Sequence, residues 1–228
     1  MTKLFVFSSF VWIGSLLISC GNKEQGNESA QIKDSTTEMT TSSQPIKTIL
    51  FFGNSLTAGY GLEPDQAFPA LLQRKIDSMK LPYKAVNAGV SGETSAGGNG
   101  RIDWLLKSPV DVFVLELGAN DGLRGIPVTE TRKNLQSIIS KVKAKYPQAK
   151  LVLAGMQVPP NMGKKYAADF RKTFIDLAQQ NNMLFIPFLL EGVGGNSSLN
   201  QQDGIHPNAE GEKIVAENVW KVLQGMLE

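Results

Sequence analysis

Thr48-Ile49-Leu50-Phe51-Phe52-Gly53-Asn54-Ser55-Leu56-Thr57 is the stretch that decides the fold. Its first five residues are apolar or β-branched and show none of the alternation of a half-exposed strand. Gly-Asn-Ser then breaks the run with a turn signal. Continuous apolarity over so short a length describes a strand buried on both faces, as in a parallel sheet covered by helices. A helical stripe follows, with Phe68, Leu71, Leu72, Ile76 and Met79 at the spacing of one helix face.

The same alternation repeats downstream. Short runs at Lys84–Asn87, Asp111–Leu117, Lys150–Ala154 and Met183–Phe188 read as four more strands. Between and after them lie three more stripes: Leu135, Ile138, Ile139 and Val142; Phe170, Phe174 and Leu177; and Val215, Val219, Val222 and Met226. Pro127 and Thr129 mark the start of the first, and Tyr146-Pro147 its end. The weakest helical segment, Glu93 to Lys107, is interrupted by Gly97, Gly98 and Gly100. The expected fold is a single α/β domain over residues 47–228, doubly wound, with a five-stranded parallel sheet flanked by helices. Such sheets bind ligands beyond the carboxyl ends of their strands. Functional residues are therefore expected just after each strand.

Composition narrows the chemistry. The chain has 228 residues, 42% hydrophobic and 19% charged, which suits an ordinary globular protein. With 23 Lys and Arg against 21 Asp and Glu, the formal charge of +2 is too small for a nucleic-acid footprint. One Cys and one His exclude a disulfide framework and an all-protein His/Cys zinc site. Any chemistry that needs an imidazole must use His206.

The segments after the strands carry the candidate residues. Ser55 sits at a strand-to-helix turn behind Gly53, a residue that tolerates unusual backbone angles. A serine there reads either as a helix N-cap or as a nucleophile near helix N–H groups. The G-x-S-x-G elbow is not met, because Thr57 stands at its second glycine. His206 precedes Pro207, which biases it to an extended backbone, and follows Asp203 by three residues with Gly204 between them. An Asp holding one ring nitrogen leaves the other free to take a proton from a serine hydroxyl. Gly92 offers an unhindered N–H and Asn120 a side-chain amide; with the N–H of Ser55 they make a three-donor oxyanion hole. Glu116, inside an apolar strand, needs a cationic or hydrogen-bond-donor partner, for which Arg101 and Arg124 are the expected candidates.

Taken together, Gly53-Asn54-Ser55-Leu56-Thr57, Gly92, Gly118-Ala119-Asn120-Asp121 and Asp203-Gly204-Ile205-His206-Pro207 resemble the four blocks of the SGNH (GDSL) hydrolases. Asn87 to Ser95 and Asn120 to Gly125 are similar to the bacterial thioesterase/lysophospholipase/arylesterase branch. The resemblance implies a serine esterase without a cofactor. Ser55 would be nucleophile, His206 general base and acid, Asp203 its orienting partner, and Ser55, Gly92 and Asn120 the oxyanion hole. Asn54 stands where the family's motif has Asp; a structural role is expected, since Asn makes the same acceptor bond in a turn. The implied substrates are acyl esters, thioesters or lysophospholipids. A carbohydrate acetylesterase and a catalytically silent envelope-binding module are the alternatives. The loops Gly122–Pro127 and Met156–Lys165 are the expected walls of an acyl groove, with Met156, Val158 and Met162 as adaptable surface.

The amino terminus reads as an address. Lys3 is followed by Leu4 to Ile18, an apolar run short of the roughly 20 residues that span a bilayer. Leu17-Ile18-Ser19-Cys20-Gly21 resembles the lipobox of bacterial lipoproteins. That implies a signal peptide over 1–19, lipidation of Cys20 and attachment to a membrane of the bacterial cell envelope. Residues 20–46 carry no periodic apolar face and are expected to form a disordered tether with a span of roughly 25–30 Å. No nucleic-acid partner is expected, and a monomer is favoured.

Overall fold

The strand β1 (Lys47–Gly53) lies inside a five-stranded sheet whose order is β2-β1-β3-β4-β5. Its companions are β2 (Tyr83–Gly89), β3 (Val112–Glu116), β4 (Lys150–Ala154) and β5 (Leu184–Ile186), and every pairing is parallel. This computed structural model describes residues 45–227. The expected signal peptide, Cys20 and nearly all of the expected tether lie outside the described residues.

Among the described residues six α-helices lie between the strands, α1 (Ser55–Ala58), α2 (Phe68–Ser78), α3 (Ser95–Leu105), α4 (Ala119–Leu123), α5 (Val128–Lys145) and α6 (Lys164–Asn181), and α7 (Ala209–Leu227) follows the last strand. α2 packs on α7, whereas α3 packs on α5 and α5 on α6, so the sheet is covered by two separate helical groups. The residues of β3 are buried throughout and those of β1 from Ile49 onward, which is why both read as unbroken apolar runs. Leu135, Ile138, Ile139 and Val142 of α5 are fully buried, as are Phe170, Phe174 and Leu177 of α6. Truncating one of these large side chains to Ala removes about 2–5 kcal/mol of stability.

The weak helical segment has a tertiary explanation. A Cβ on Gly98 would collide with Leu117 and approach Phe52, so α3 sits against the sheet only because that side chain is missing. Helix propensity is given up there for close packing. β5 is shorter than its apolar run: Leu184 to Ile186 pair with β4, and Pro187, lacking an N–H, follows the last paired residue.

The order of strand addition reverses between β1 and β3: β2 is laid down on one side of β1, and β3, β4 and β5 on the other. A crevice forms at the carboxyl edge of such a switch point. Register sets what meets there, because Gly53 of β1 lies opposite both Gly89 of β2 and Glu116 of β3.

Candidate active site

Ser55 is the first residue of α1, and it does not cap the helix. Asn54 does: its Oδ1 accepts from Leu56 N at 2.9 Å. The serine hydroxyl is thereby free of the job that most often occupies a serine after a strand. It points instead at an imidazole from the far end of the chain, with Ser55 Oγ 2.9 Å from His206 Nε2. His206 Nδ1 lies 2.6 Å from Asp203 Oδ2.

Local geometry builds the imidazole arm. Gly204 has φ +72, a left-handed conformation that lets the chain fold Asp203 back over the following residues. Asp203 Oδ1 accepts from Ile205 N at 3.0 Å and from His206 N at 3.1 Å, and its other oxygen meets the ring. Hydrogen bonding to His206 and to the backbone holds the Asp203 carboxyl down at about 2. It is therefore ionised at neutral pH and fixes the tautomer in which Nδ1 carries the proton and Nε2 the lone pair. Gln201 N donates to His206 O at 2.8 Å, and Asn200 bridges Pro207, so the loop is pinned from both sides. Tyr60 packs against the imidazole, with ring centroids 4.6 Å apart and the planes tilted by 39°.

Gly92 and Asn120 line the same cavity as Ser55 and His206. Gly92 has φ +79, and a Cβ there would meet nothing, so backbone conformation rather than crowding favours glycine. Asn120 Nδ2 donates to Glu93 O at 3.0 Å, which leaves its second N–H available. Arg124 donates to Gly92 O at 3.0 Å, and Arg101 forks onto the Glu93 carboxylate at 2.6 and 2.5 Å. These two arginines brace the Gly92-Glu93 segment; they were expected to partner Glu116, and they do not. The Glu116 carboxylate instead accepts from Asn54 N at 3.1 Å, Asn54 Nδ2 at 2.8 Å and Thr57 Oγ1 at 2.7 Å. Arg101 is engaged by Glu93 and by the Ala88 and Gly53 carbonyls. Gly53 also has a different reason from the one expected. Its φ is not positive; a Cβ would collide with Thr57 Oγ1 and crowd Glu116.

The cavity above Ser55 has a volume of about 530 Å³. Much of its apolar lining comes from Leu123, Met156, Val158, Phe188, Leu190 and Ile205. The sequence reading anticipated the loops of Leu123, Met156 and Val158. It placed Met162 on the wall, but Met162 does not line the cavity. Phe188, Leu190 and Tyr60 were missed, because nothing in their spacing distinguishes a cavity wall from ordinary packing.

A serine hydroxyl, an imidazole and a carboxylate thus stand in series beneath a cavity of about 530 Å³. Residues 51–214 match the GDSL-like Lipase/Acylhydrolase family. The chain belongs to that family. This family member is similar to esterase TesA of Pseudomonas aeruginosa, at 41% identity over 182 residues, covering 79% of this chain and 90% of that protein. It is also similar to the thioesterase 1/protease 1/lysophospholipase L1 of Escherichia coli, at 37% identity, covering 79% of this chain and 85% of that one. The crystal structure of TesA superposes with a TM-score of 0.76 and covers 79% of this chain and 100% of that chain. The psychrotrophic esterase EstA from Pseudoalteromonas, solved inhibited by monoethylphosphonate, is 34% identical with a TM-score of 0.75, covering 79% of this chain and 98% of that chain. The five-stranded parallel sheet flanked by helices is thus the fold of solved esterases.

Proposed function

We propose that this GDSL-family chain hydrolyses carboxylic esters and thioesters by two-step acyl transfer, with Ser55 as nucleophile, His206 as general base and acid, and Asp203 as orienting partner. Ser55 Oγ attacks the acyl carbon while its proton passes to His206 Nε2. The carbonyl oxygen takes up the negative charge between the N–H groups of Ser55 and Gly92 and the free N–H of Asn120. His206 then protonates the departing alcohol or thiol, and the acyl group stays on Ser55. A water, deprotonated by His206, attacks that ester and releases the acid. The imidazolium formed in each half-reaction is balanced by the ionised Asp203.

One observation carries this reading: the 2.9 Å contact between Ser55 Oγ and His206 Nε2, groups 151 residues apart in sequence. The apolar lining supports an acyl chain, in preference to an acetylated sugar, as the group accepted there. The reactivity of Ser55 is tested by a fluorophosphonate probe on the full chain. Labelling abolished by Ser55→Ala and by His206→Ala is expected; labelling that survives Ser55→Ala removes the mechanism. A series of p-nitrophenyl esters from acetate to palmitate then measures the reach of the cavity, and strict acetate preference contradicts the acyl reading.

Attachment to the cell envelope through acylated Cys20 belongs to the same proposal, supported by the lipobox-like Leu17 to Gly21. Among the described residues no helix is long and apolar enough to cross a membrane. Metabolic labelling with a fatty acid, lost in Cys20→Ala, is the expected result; labelling that persists refutes the anchor site.

A further inference from the structure

Beneath Ser55 lies a second carboxylate that the acyl-transfer steps do not use. Glu116 ends β3, is 1% exposed, and is bound on the side of β1 by the turn that carries Ser55. Asn54 N and Thr57 Oγ1 both donate to Oε2, and Asn54 Nδ2 donates to Oε1. The donors come from the residue before the serine and from the second residue after it. A single carboxylate therefore fastens both flanks of Ser55 to the neighbouring strand. Gly53 leaves room for it, since any Cβ at that position would strike Thr57 Oγ1 and crowd Glu116.

We propose that Glu116 is a positioning residue for the nucleophile turn, holding Ser55 in line with His206 while it is an anion and loosening the turn when it takes up a proton. All three neighbouring groups donate, so an ionised carboxylate satisfies every one of them. A protonated Glu116 brings an O–H of its own into this circle of donors. Thr57 must then rotate its hydroxyl to accept, and the bonds from Asn54 lose the charge that strengthens them, so the turn is held less firmly. Even a small displacement of a nucleophile weakens catalysis strongly. The proposal rests on Ser55 being the nucleophile.

The change falls in a useful pH range. Burial, opposed by the bonds from Thr57 and Asn54, pushes the Glu116 carboxyl up to about 7. The charged groups around it are few. Arg101 of α3 reaches the Gly53 carbonyl at 3.3 Å but gives its guanidinium to Glu93 and Ala88 O. Glu212 of α7 is itself buried; desolvation, together with the charge of Glu116, raises it to about 8 while it accepts from Phe68 N at 2.7 Å. His206 and Asp203 are bonded to Ser55 and to each other. Among the described residues no cation contacts the Glu116 carboxylate.

The test is the pH dependence of kcat/KM for a p-nitrophenyl ester between pH 5 and 9, on the full chain. Each sample is normalised to the folded active sites that a fluorophosphonate titrates. A single titrating group gives an acid limb of slope one. With Glu116 contributing, the first tenfold of lost activity is steeper than that. Glu116→Gln mimics the protonated group and is expected to lower kcat roughly tenfold at pH 8, leave KM nearly unchanged and return the limb to slope one. Thr57→Val removes one donor without touching Glu116, Ser55 or His206. It is expected to move the steep part of the limb to higher pH, by on the order of one unit. Variants that fold less well yet keep the parent's normalised pH profile overturn the proposal, as does a parent limb of slope one. Either result leaves the role of Ser55 intact, which the labelling experiment decides separately.

Discussion

Asp203 and Glu116 are two carboxylates with the same number of hydrogen bonds and opposite acidities. Each accepts three, Asp203 from Ile205 N, His206 N and His206 Nδ1, and Glu116 from Asn54 N, Asn54 Nδ2 and Thr57 Oγ1. Yet Asp203 sits at about 2 and Glu116 at about 7. Donor count does not account for that difference; solvent does. The Asp203 side chain is 37% exposed and its desolvation is slight, whereas Glu116 is 1% exposed and burial outweighs its bonds. One carboxylate is thus ionised at neutral pH, and the other titrates close to it.

Removing charge from each carboxylate sharpens the contrast most. Asp203→Asn is expected to lower kcat by on the order of 10⁴, because the amide favours the wrong imidazole tautomer. Glu116→Gln is expected to cost roughly tenfold, through position alone. A folded pair of variants with the reverse order breaks the assignment of the two roles. Next in size is Asn120→Ala, which removes one oxyanion donor and is expected to lower kcat by about 10²–10³ with little change in KM. A loss confined to KM would mean that Asn120 only binds the ground state.

Buried carboxylates also leave a mark on stability. The folded protein binds protons at Glu116 and Glu212 more tightly than the unfolded chain, whose carboxyls titrate near 4.5. Stability from these groups is therefore greatest at low pH and is lost as pH rises from about 4.5 through about 7 and 8. Asp203 acts in the opposite sense: its contribution is present above 3.8 and is lost as pH falls towards about 2. Glu212→Gln keeps an acceptor for Phe68 N and removes the buried charge. It is expected to raise stability at pH 9 by on the order of a few kcal/mol and to change little at pH 5, measured by denaturant unfolding. Destabilisation at both pH values would show that the charge has a partner.

The smallest expected effect is that of Asn54→Ala, which removes the cap on Leu56 N and one donor to Glu116. About 1–2 kcal/mol of stability should go, with only a several-fold fall in kcat. A rate loss matching that of Ser55→Ala would make Asn54 part of the chemistry.

The strands and most helices were legible because their signals are local: unbroken apolar runs, stripes at helical spacing, and Pro at helix starts and ends. Ser55, Gly92, Asn120, Asp203 and His206 could be named because each follows a strand or sits in a loop with its own turn chemistry. The partner of Glu116 was not legible. A guanidinium is the obvious expectation for a buried carboxylate, but parallel register sets Glu116 beside Gly53, within reach of neutral donors on the next turn. The α3 glycines likewise look like a defect until Leu117 and Phe52 fill the space at Gly98.

By itself the amino-acid sequence determined the alternation of strands and helices, the edge of the sheet where chemistry gathers, and the few residue types able to perform it. These follow from periodicity and from the chemistry of single side chains, which act over a few residues. Tertiary structure alone decided that His206 meets Ser55, that Glu116 fastens the turn around that serine, and which carboxylate is wet and which is dry. Acidity and reach depend on what surrounds a group in space. His206 reaches Ser55 across 151 residues and Glu116 meets its donors across 59 to 62, and no local pattern records either.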